Sequence, residues 1–289
     1  MHQPHISVFA LALLLVNAAC ATGGRPPTTI PGPGTPTGTT PELVQATHLR
    51  FSPGTYRYRF TQTAEISGSG SADTVPGTII TRALIYAVVT SQADSSFAVS
   101  ISFDSVAVST QGSIPPRGTS QLASLGSIIH GVFSRTTMST EVHLPDSLCS
   151  YGQLASVGRE VLLPELAFEA ELSTRRTFTD TTTYRSCRAG IAVDVTTTRE
   201  LKPVSRSAGE MTLEQESTVQ GLGVLQRDSI AVTGSVSTRG RVSFKTVNRL
   251  PTLLQSESHG RITVRLGSTT THFRQQSTQE IQLIGAEPN

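Results

Sequence analysis

The chain has no tryptophan, two lysines (Lys202 and Lys245) and three cysteines in 289 residues, and aromatic side chains make up 5% of it. So few aromatics exclude carbohydrate binding by ring stacking, and they exclude an outer-membrane barrel, whose two interfacial girdles are aromatic. Charge is sparse as well, at 15% of residues with a net +2 and a pI near 8.6. Arginines and acids are scattered, so there is no electrostatic footprint for nucleic acid. Signature motifs of catalysis are missing: the sequence has no G-x-S-x-G, no H-E-x-x-H, no P-loop, and no S-x-x-K before either lysine. No catalytic residue and no cofactor is assigned.

What is present begins with an apolar run over residues 6–16, interrupted only by Ser7. That is the length of a signal-peptide h-region and too short to span a bilayer as a helix. Ala18 and Ala19 precede Cys20, and the run resembles a bacterial lipobox, in which the cysteine thiol takes a diacylglycerol and becomes the mature N-terminus. Asn17 stands where an aliphatic residue is usual, and the n-region carries His2 and His5 without Lys or Arg. The other reading is an A-x-A site, Ala19-Cys20-Ala21, that releases a soluble exported protein. Lipidation at Cys20 is the expectation, with residues 1–19 as the signal peptide.

Residues 20–46 are dense in Pro, Gly and Thr and have almost nothing to bury. Such a segment cannot offset the entropy of folding and reads as an extended leash. It suits a domain that must stand clear of a membrane to which acyl chains hold it, each buried methylene contributing roughly 0.8 kcal/mol. Residues 47–289 are then one domain of a size reached by single all-β folds.

With Cys20 acylated, Cys149 and Cys187 remain as an even pair in an oxidising compartment, which reads as a disulfide. Closing that loop would stabilise by roughly 4 kcal/mol in the chain-entropy account. Two separate buried thiols are the alternative. No His or Cys lies two to four residues from either to complete a metal-ligand set.

Alternation with period two runs through most of the domain. In TYRYRFTQTAEI, Tyr56, Tyr58, Phe60, Ala64 and Ile66 share one parity, broken by Gln62, and Arg57, Arg59, Thr61, Thr63 and Glu65 share the other. SSFAVSISF repeats this with Phe97, Val99, Ile101 and Phe103 inward, and the phase flips after Asp104 as a bulge would cause. IITRALIYAVV between them is apolar on both faces, as a central strand would be. Beyond Cys187, GIAVDVTTTREL, EMTLEQESTV, DSIAVTGSVS, RVSFKTV, GRITVRL and THFRQQSTQEIQLI continue the pattern. Turns are expected at Arg188-Ala189-Gly190, Thr238-Arg239-Gly240 and Leu266-Gly267-Ser268. With TEVHL and RRTFTDTTTYRSC, about eleven strands are expected.

Two stretches depart from alternation. Over residues 119–134, Leu122, Leu125, Ile129, Val132 and Phe133 recur at helical spacing after Pro115-Pro116, with Thr119 or Ser120 as cap. Over residues 146–166, Asp146 caps a second stripe of Leu148, Tyr151, Ala155 and Leu162 that ends at Pro164. The expected fold is a curved antiparallel sheet, an incomplete barrel, closed in part by two amphipathic helices.

That element order resembles the half-barrel of the periplasmic lipoprotein-carrier family (LolA and LolB type), whose curved sheet wraps around helices and can enclose an acyl chain. LRFSPGTYRYRF at residues 49–60 is also similar to the start of bacterial envelope lipoproteins. No site residue is carried over from that family. A half-open barrel leaves apolar positions that something must cover, so the expected role is a non-catalytic domain that holds a lipid or other apolar ligand, with Tyr56, Tyr58, Phe60, Phe97, Ile101 and Phe103 contributing to its concave face by their parity. The alternatives are an envelope scaffold with a filled core, docking partner proteins, or a hydrolase without a familiar signature. Localisation is expected at the outer membrane facing the periplasm.

The remaining polar candidates have structural readings. His130 lies beside the first helical stripe, and His143 sits near Asp146 but reads as a strand residue. If Gly267-Ser268 is a turn, Thr263 faces His272 and His259 faces Gln276, so the two imidazoles do not meet and no metal site is expected. Arg57, Arg59 and Arg82 would form a basic patch on neighbouring strands, solvated at the wet face.

Overall fold

The computed structural model describes residues 52–69, 77–92, 96–112, 125–134, 140–143, 177–188, 191–207, 209–225, 230–245 and 250–288. The signal segment, Cys20, the leash, Cys149 and the helix expected over 146–166 lie outside them. Among the described residues the protein is mainly β, a single antiparallel sheet of eleven strands. They are β1 (Gly54–Ser69), β2 (Gly77–Ser91), β3 (Ser96–Gly112), β4 (Leu125–Ser134), β5 (Thr140–His143), β6 (Phe178–Arg188), β7 (Ile191–Ser207), β8 (Glu210–Leu225), β9 (Ile230–Lys245), β10 (Pro251–Leu266) and β11 (Thr269–Pro288).

Their order is β5-β4-β3-β2-β1-β11-β10-β9-β8-β7-β6, so the chain meanders away from β1 on one side and returns to it through β11 on the other. Gly54 pairs with Pro288 and Ser69 with His272 along that junction. Counting directions through the antiparallel ladder, the two edge strands β5 and β6 run the same way. They cannot pair with each other antiparallel.

Alternation explains why these segments are strands and which face turns inward. Tyr56, Tyr58 and Phe60 of β1, Ile85, Ala87 and Val89 of β2 and Phe97, Val99, Ile101 and Phe103 of β3 form one buried cluster with Leu201 of β7, Met211 and Leu213 of β8, Val242 and Phe244 of β9 and Leu254 of β10. β3 and β8 stand six places apart in the sheet, with five strands between them. The cluster runs continuously along the inward pleat through the intervening strands, with Ile281 of β11 and Leu254 of β10 at its middle, and the burial of its members shows that this face is covered.

Local irregularities follow from particular residues. The phase flip after Asp104 is a bulge: Ser105 sits at φ 52°, and the β2–β3 register slips between Arg82 and Leu84. Asp104 Oδ1 accepts a hydrogen bond from the Ser105 amide at 2.8 Å, which holds that unusual backbone. Gly267, at φ +58°, turns β10 into β11 through Gly267-Ser268, with Leu266 facing Thr269. Pro203 sits in β7 at an irregularity, where the β7–β8 register shifts between Pro203 and Ser205 and where, among the described residues, pairing to β6 has ended at Leu201.

Two expectations are corrected. Residues 125–134 of the expected first helix form β4, paired to β3 through Ile101–Ile129 and to β5 through His130–His143. Helical spacing was present, but Ile128, Ile129 and Val132 are β-branched and Gly126 and Gly131 weaken a helix, so pairing to β3 prevails. This replaces a helix in the element order on which the half-barrel resemblance stands. The turn expected at Thr238-Arg239-Gly240 is instead the interior of β9, which joins DSIAVTGSVS and RVSFKTV into one strand. Gly240 there is required by close packing, since a Cβ would lie 2.5 Å from the Gln255 carbonyl oxygen.

Candidate functional site

All six residues expected to line a ligand cavity lie on the inward pleat. Tyr58, Phe60 and Ile101 have no exposure at all, and Tyr56, Phe97 and Phe103 are buried with them. They are brought together as expected, and they share one buried cluster with Leu201, Met211, Leu213, Val242, Phe244 and Leu254 of the other side of the sheet. Burial raises the Tyr58 phenol well above its ordinary range, with Tyr56 adding to the effect. Among the described residues its hydroxyl has no hydrogen-bond partner.

The inward pleat is not apolar throughout. Midway along the strands it carries two register rows of small or polar residues. One runs Thr81, Gln62, Gln279, Ser256, Gly240, Gln215. The next runs Ala64, Ser277, Ser258, Thr238, Ser217, Arg199. Thr238 and Ser258 hydroxyls share a 2.8 Å hydrogen bond. Ser217 Oγ and Gln275 Oε1 are buried without a hydrogen bond. The Arg199 guanidinium is buried, and desolvation lowers its pKa to about 10. This belt was missed in the sequence. Its signal was Gln62, the polar residue that interrupts the apolar parity of β1, repeated by Gln215, Gln275 and Gln279.

The outward pleat over β8–β11 and β1 carries charge in cross-strand ladders. Arg239 Nε meets Glu216 at 3.0 Å and Arg241 meets Glu214 at 3.3 Å. Gln255 Nε2 donates to Glu280 at 2.8 Å, and Gln276 Nε2 donates to Glu257 at 3.0 Å. Glu257 also lies 3.1 Å from His259 Nε2. These groups surround a shallow groove of about 870 Å³ that crosses five strands, with Arg59 and Thr61 of β1 at its far side. A second depression of about 470 Å³ continues it over β6–β10, lined by Thr198, Glu200, Glu216 and His259. Three arginines against four glutamates make the larger groove nearly neutral and rich in hydrogen-bonding groups.

Arg57, Arg59 and Arg82 are all exposed on this outward face, with Arg82 opposite Thr61. Thr263 faces His272 and His259 faces Gln276, so the imidazoles stand apart as the turn register requires. Thr263 Oγ1 lies 3.0 Å from His272 Nδ1. No group of three His, Cys, Asp or Glu among the described residues is arranged to hold a metal. Cys187 lies in β6 opposite Ala192. Cys149, Asp146 and Cys20 are outside the described residues.

No family model and no curated protein matches the chain. Among solved structures, an outer membrane channel from Pseudomonas putida F1 aligns over 86% of this chain and all of its own length, at 9% identity and a TM-score of 0.26. The Pseudomonas aeruginosa channel OccK11 aligns over 81% of this chain and 99% of its own, at 5% identity and a TM-score of 0.22. A monoaromatic hydrocarbon channel, CymD, aligns over 81% and 89%, at 8% identity and a TM-score of 0.16. Scores this low carry no argument about fold or role.

Proposed function

We propose that the protein is an exported envelope lipoprotein, tethered through Cys20 and the leash, whose β domain is a non-catalytic interaction module. The observation that carries this reading is the contrast between the two faces of the sheet. The inward aromatics are buried in one cluster with the protein's own side chains from β7 to β10, while an open groove lies outside, on the ladder of Arg59, Glu214, Arg239, Arg241, Gln255 and Glu257. A nearly neutral, polar groove suits the rim-like polar surface of another protein.

A photo-crosslinking residue placed at Gln255, inside the groove, should form adducts in intact cells, whereas one at the exposed Thr90 of β2 should not. Equal labelling from both positions, or none from Gln255, would overturn the module. The carrier reading, a lipid or apolar guest inside the sheet, keeps one point in its favour: Ser217 Oγ, Gln275 Oε1 and the Tyr58 hydroxyl are inward polar atoms without hydrogen bonds. Native mass spectrometry of the membrane-purified protein separates the two. A protein-only mass with negligible hydrophobic-dye binding fits the module, and a stoichiometric extractable lipid fits the carrier.

A further inference from the structure

The β10–β11 hairpin has a charge distribution that the groove does not use. From Ser258 to Gln279 the sequence contains Arg261, Arg265 and Arg274, with His259 and His272, and no Asp or Glu. Arg261 and Arg274 are direct register partners, and both are exposed on the outward pleat. Like charges directly opposite one another are destabilising in a sheet. Along β10, Arg265 lies four residues on from Arg261, so the three guanidinium groups span roughly 13 Å of one ribbon. Among the described residues, Glu65 lies two positions from the Ser67 that faces Arg274, and none of Arg261, Arg265 and Arg274 is in an ion pair.

Two of the four exposed large hydrophobics of the described residues lie at this same end of the strands. Leu266, 40% exposed, adjoins Arg265 at the hairpin turn. Leu222, 55% exposed, lies in the register row Leu222, Thr233, Thr263, His272. Arginines around exposed leucines at a strand tip are the composition that meets a lipid surface, with the cations at headgroup level and the apolar tips at the acyl boundary. The tip also stands at the rim opposite the one where Gly54 pairs with Pro288, roughly 65 Å away along β11.

We infer that the hairpin tip of β10 and β11, with Leu222 of β8, docks on an anionic lipid bilayer. Among the described residues none of the three arginines is held in an ion pair, and a bilayer rich in phosphates supplies a counter-charge to the ribbon. This surface is separate from the groove and does not depend on the reading given to it.

The test uses the mature full-length chain carrying Cys20→Ser, so that no acyl chain contributes, in co-sedimentation with vesicles of phosphatidylcholine alone and of phosphatidylcholine mixed with phosphatidylglycerol. Binding should require the anionic lipid and weaken as salt shortens the screening length. The triple variant Arg261→Gln, Arg265→Gln, Arg274→Gln should lose roughly fivefold per arginine, about a hundredfold together. Leu222→Ser with Leu266→Ser should weaken binding while leaving its salt dependence in place. All substituted residues are exposed, so an unchanged melting midpoint certifies the fold of each variant. Equal sedimentation with both vesicle types, or a triple variant that binds like its parent, overturns the inference. So does millimolar inorganic phosphate that competes the protein off vesicles at constant ionic strength, because the site would then read a free anion.

Discussion

Gly240 of β9 faces Ser256 of β10 so closely that a Cβ on the glycine would lie 2.8 Å from the serine Cβ as well as 2.5 Å from the Gln255 carbonyl oxygen. The obstruction is backbone and a short side chain, neither of which can swing aside. Gly240→Ala should therefore destabilise by roughly 1–3 kcal/mol through overpacking, read as a lowered denaturation midpoint. Gly209 is the control, because nothing lies within 4 Å of its added Cβ and only its φ of +107° opposes a side chain. A Gly240→Ala midpoint equal to wild type would show that β9 and β10 can separate there.

Tyr58 and Phe60 occupy the same fully buried stripe but should respond differently to truncation. The Tyr58 hydroxyl lacks a hydrogen bond, so Tyr58→Phe should keep stability within about 1 kcal/mol of wild type, in the stabilising direction. Phe60→Ala should cost about 3–5 kcal/mol for lost burial and the cavity left behind. A large loss from Tyr58→Phe would reveal a partner for the hydroxyl.

The raised phenol also gives a pH dependence. Its folded form holds the proton more tightly than the unfolded chain does. Its contribution to stability is thus complete below the ordinary tyrosine range and is lost as pH rises through the folded value. Tyr58→Phe should soften the alkaline fall in the unfolding midpoint relative to wild type. Parallel alkaline curves for the two proteins would remove Tyr58 as a cause.

The ladder of Glu216 with Arg239 is exposed on both sides, 83% at the arginine and 62% at the glutamate side chain. A double-mutant cycle with alanine at both positions should return a coupling below about 1 kcal/mol. The groove therefore owes its shape to the strands, and its charges are free to be tested for partner binding without loss of fold.

Processing and redox state rest on the cysteines. Globomycin should cause an unprocessed, diacylglycerol-modified precursor to accumulate, and Cys20→Ser should abolish fatty-acid labelling; a mature chain beginning at Thr22 would refute the anchor. Non-reducing peptide mapping should link Cys149 to Cys187. Full alkylation of both without reductant would exclude the link.

Much of the sheet was legible because alternation is a local signal. The parity of Tyr56 to Ile66, the bulge after Asp104 and the hairpin at Gly267 are each encoded within a few residues. Errors arose where local and long-range signals diverge. Residues 125–134 carry helical spacing, and only the presence of β3 and β5 on either side resolves them as a strand. Gly240 looks like a turn residue until Gln255 and Ser256 are placed against it. Which residues share a core with Tyr58 was illegible for the same reason. Leu213 and Val242 lie more than 150 residues further on, and no local pattern announces that they join its cluster.

The seam between β1 and β11 sets the timing of folding. Gly54 and Pro288, its outermost partners, are separated by 234 positions (288 − 54), so β1, made before the other described strands, waits for the last of them before its second edge is covered. Until then β1 presents a row of vacant amide and carbonyl groups, and ring closure over such a distance is slow. An anchor that fixes the early part of the chain at a membrane would hold that unfinished edge away from other copies during the interval. Interrupting synthesis before residue 269 should leave a species that aggregates through β1, even though ten of the eleven strands have already been made.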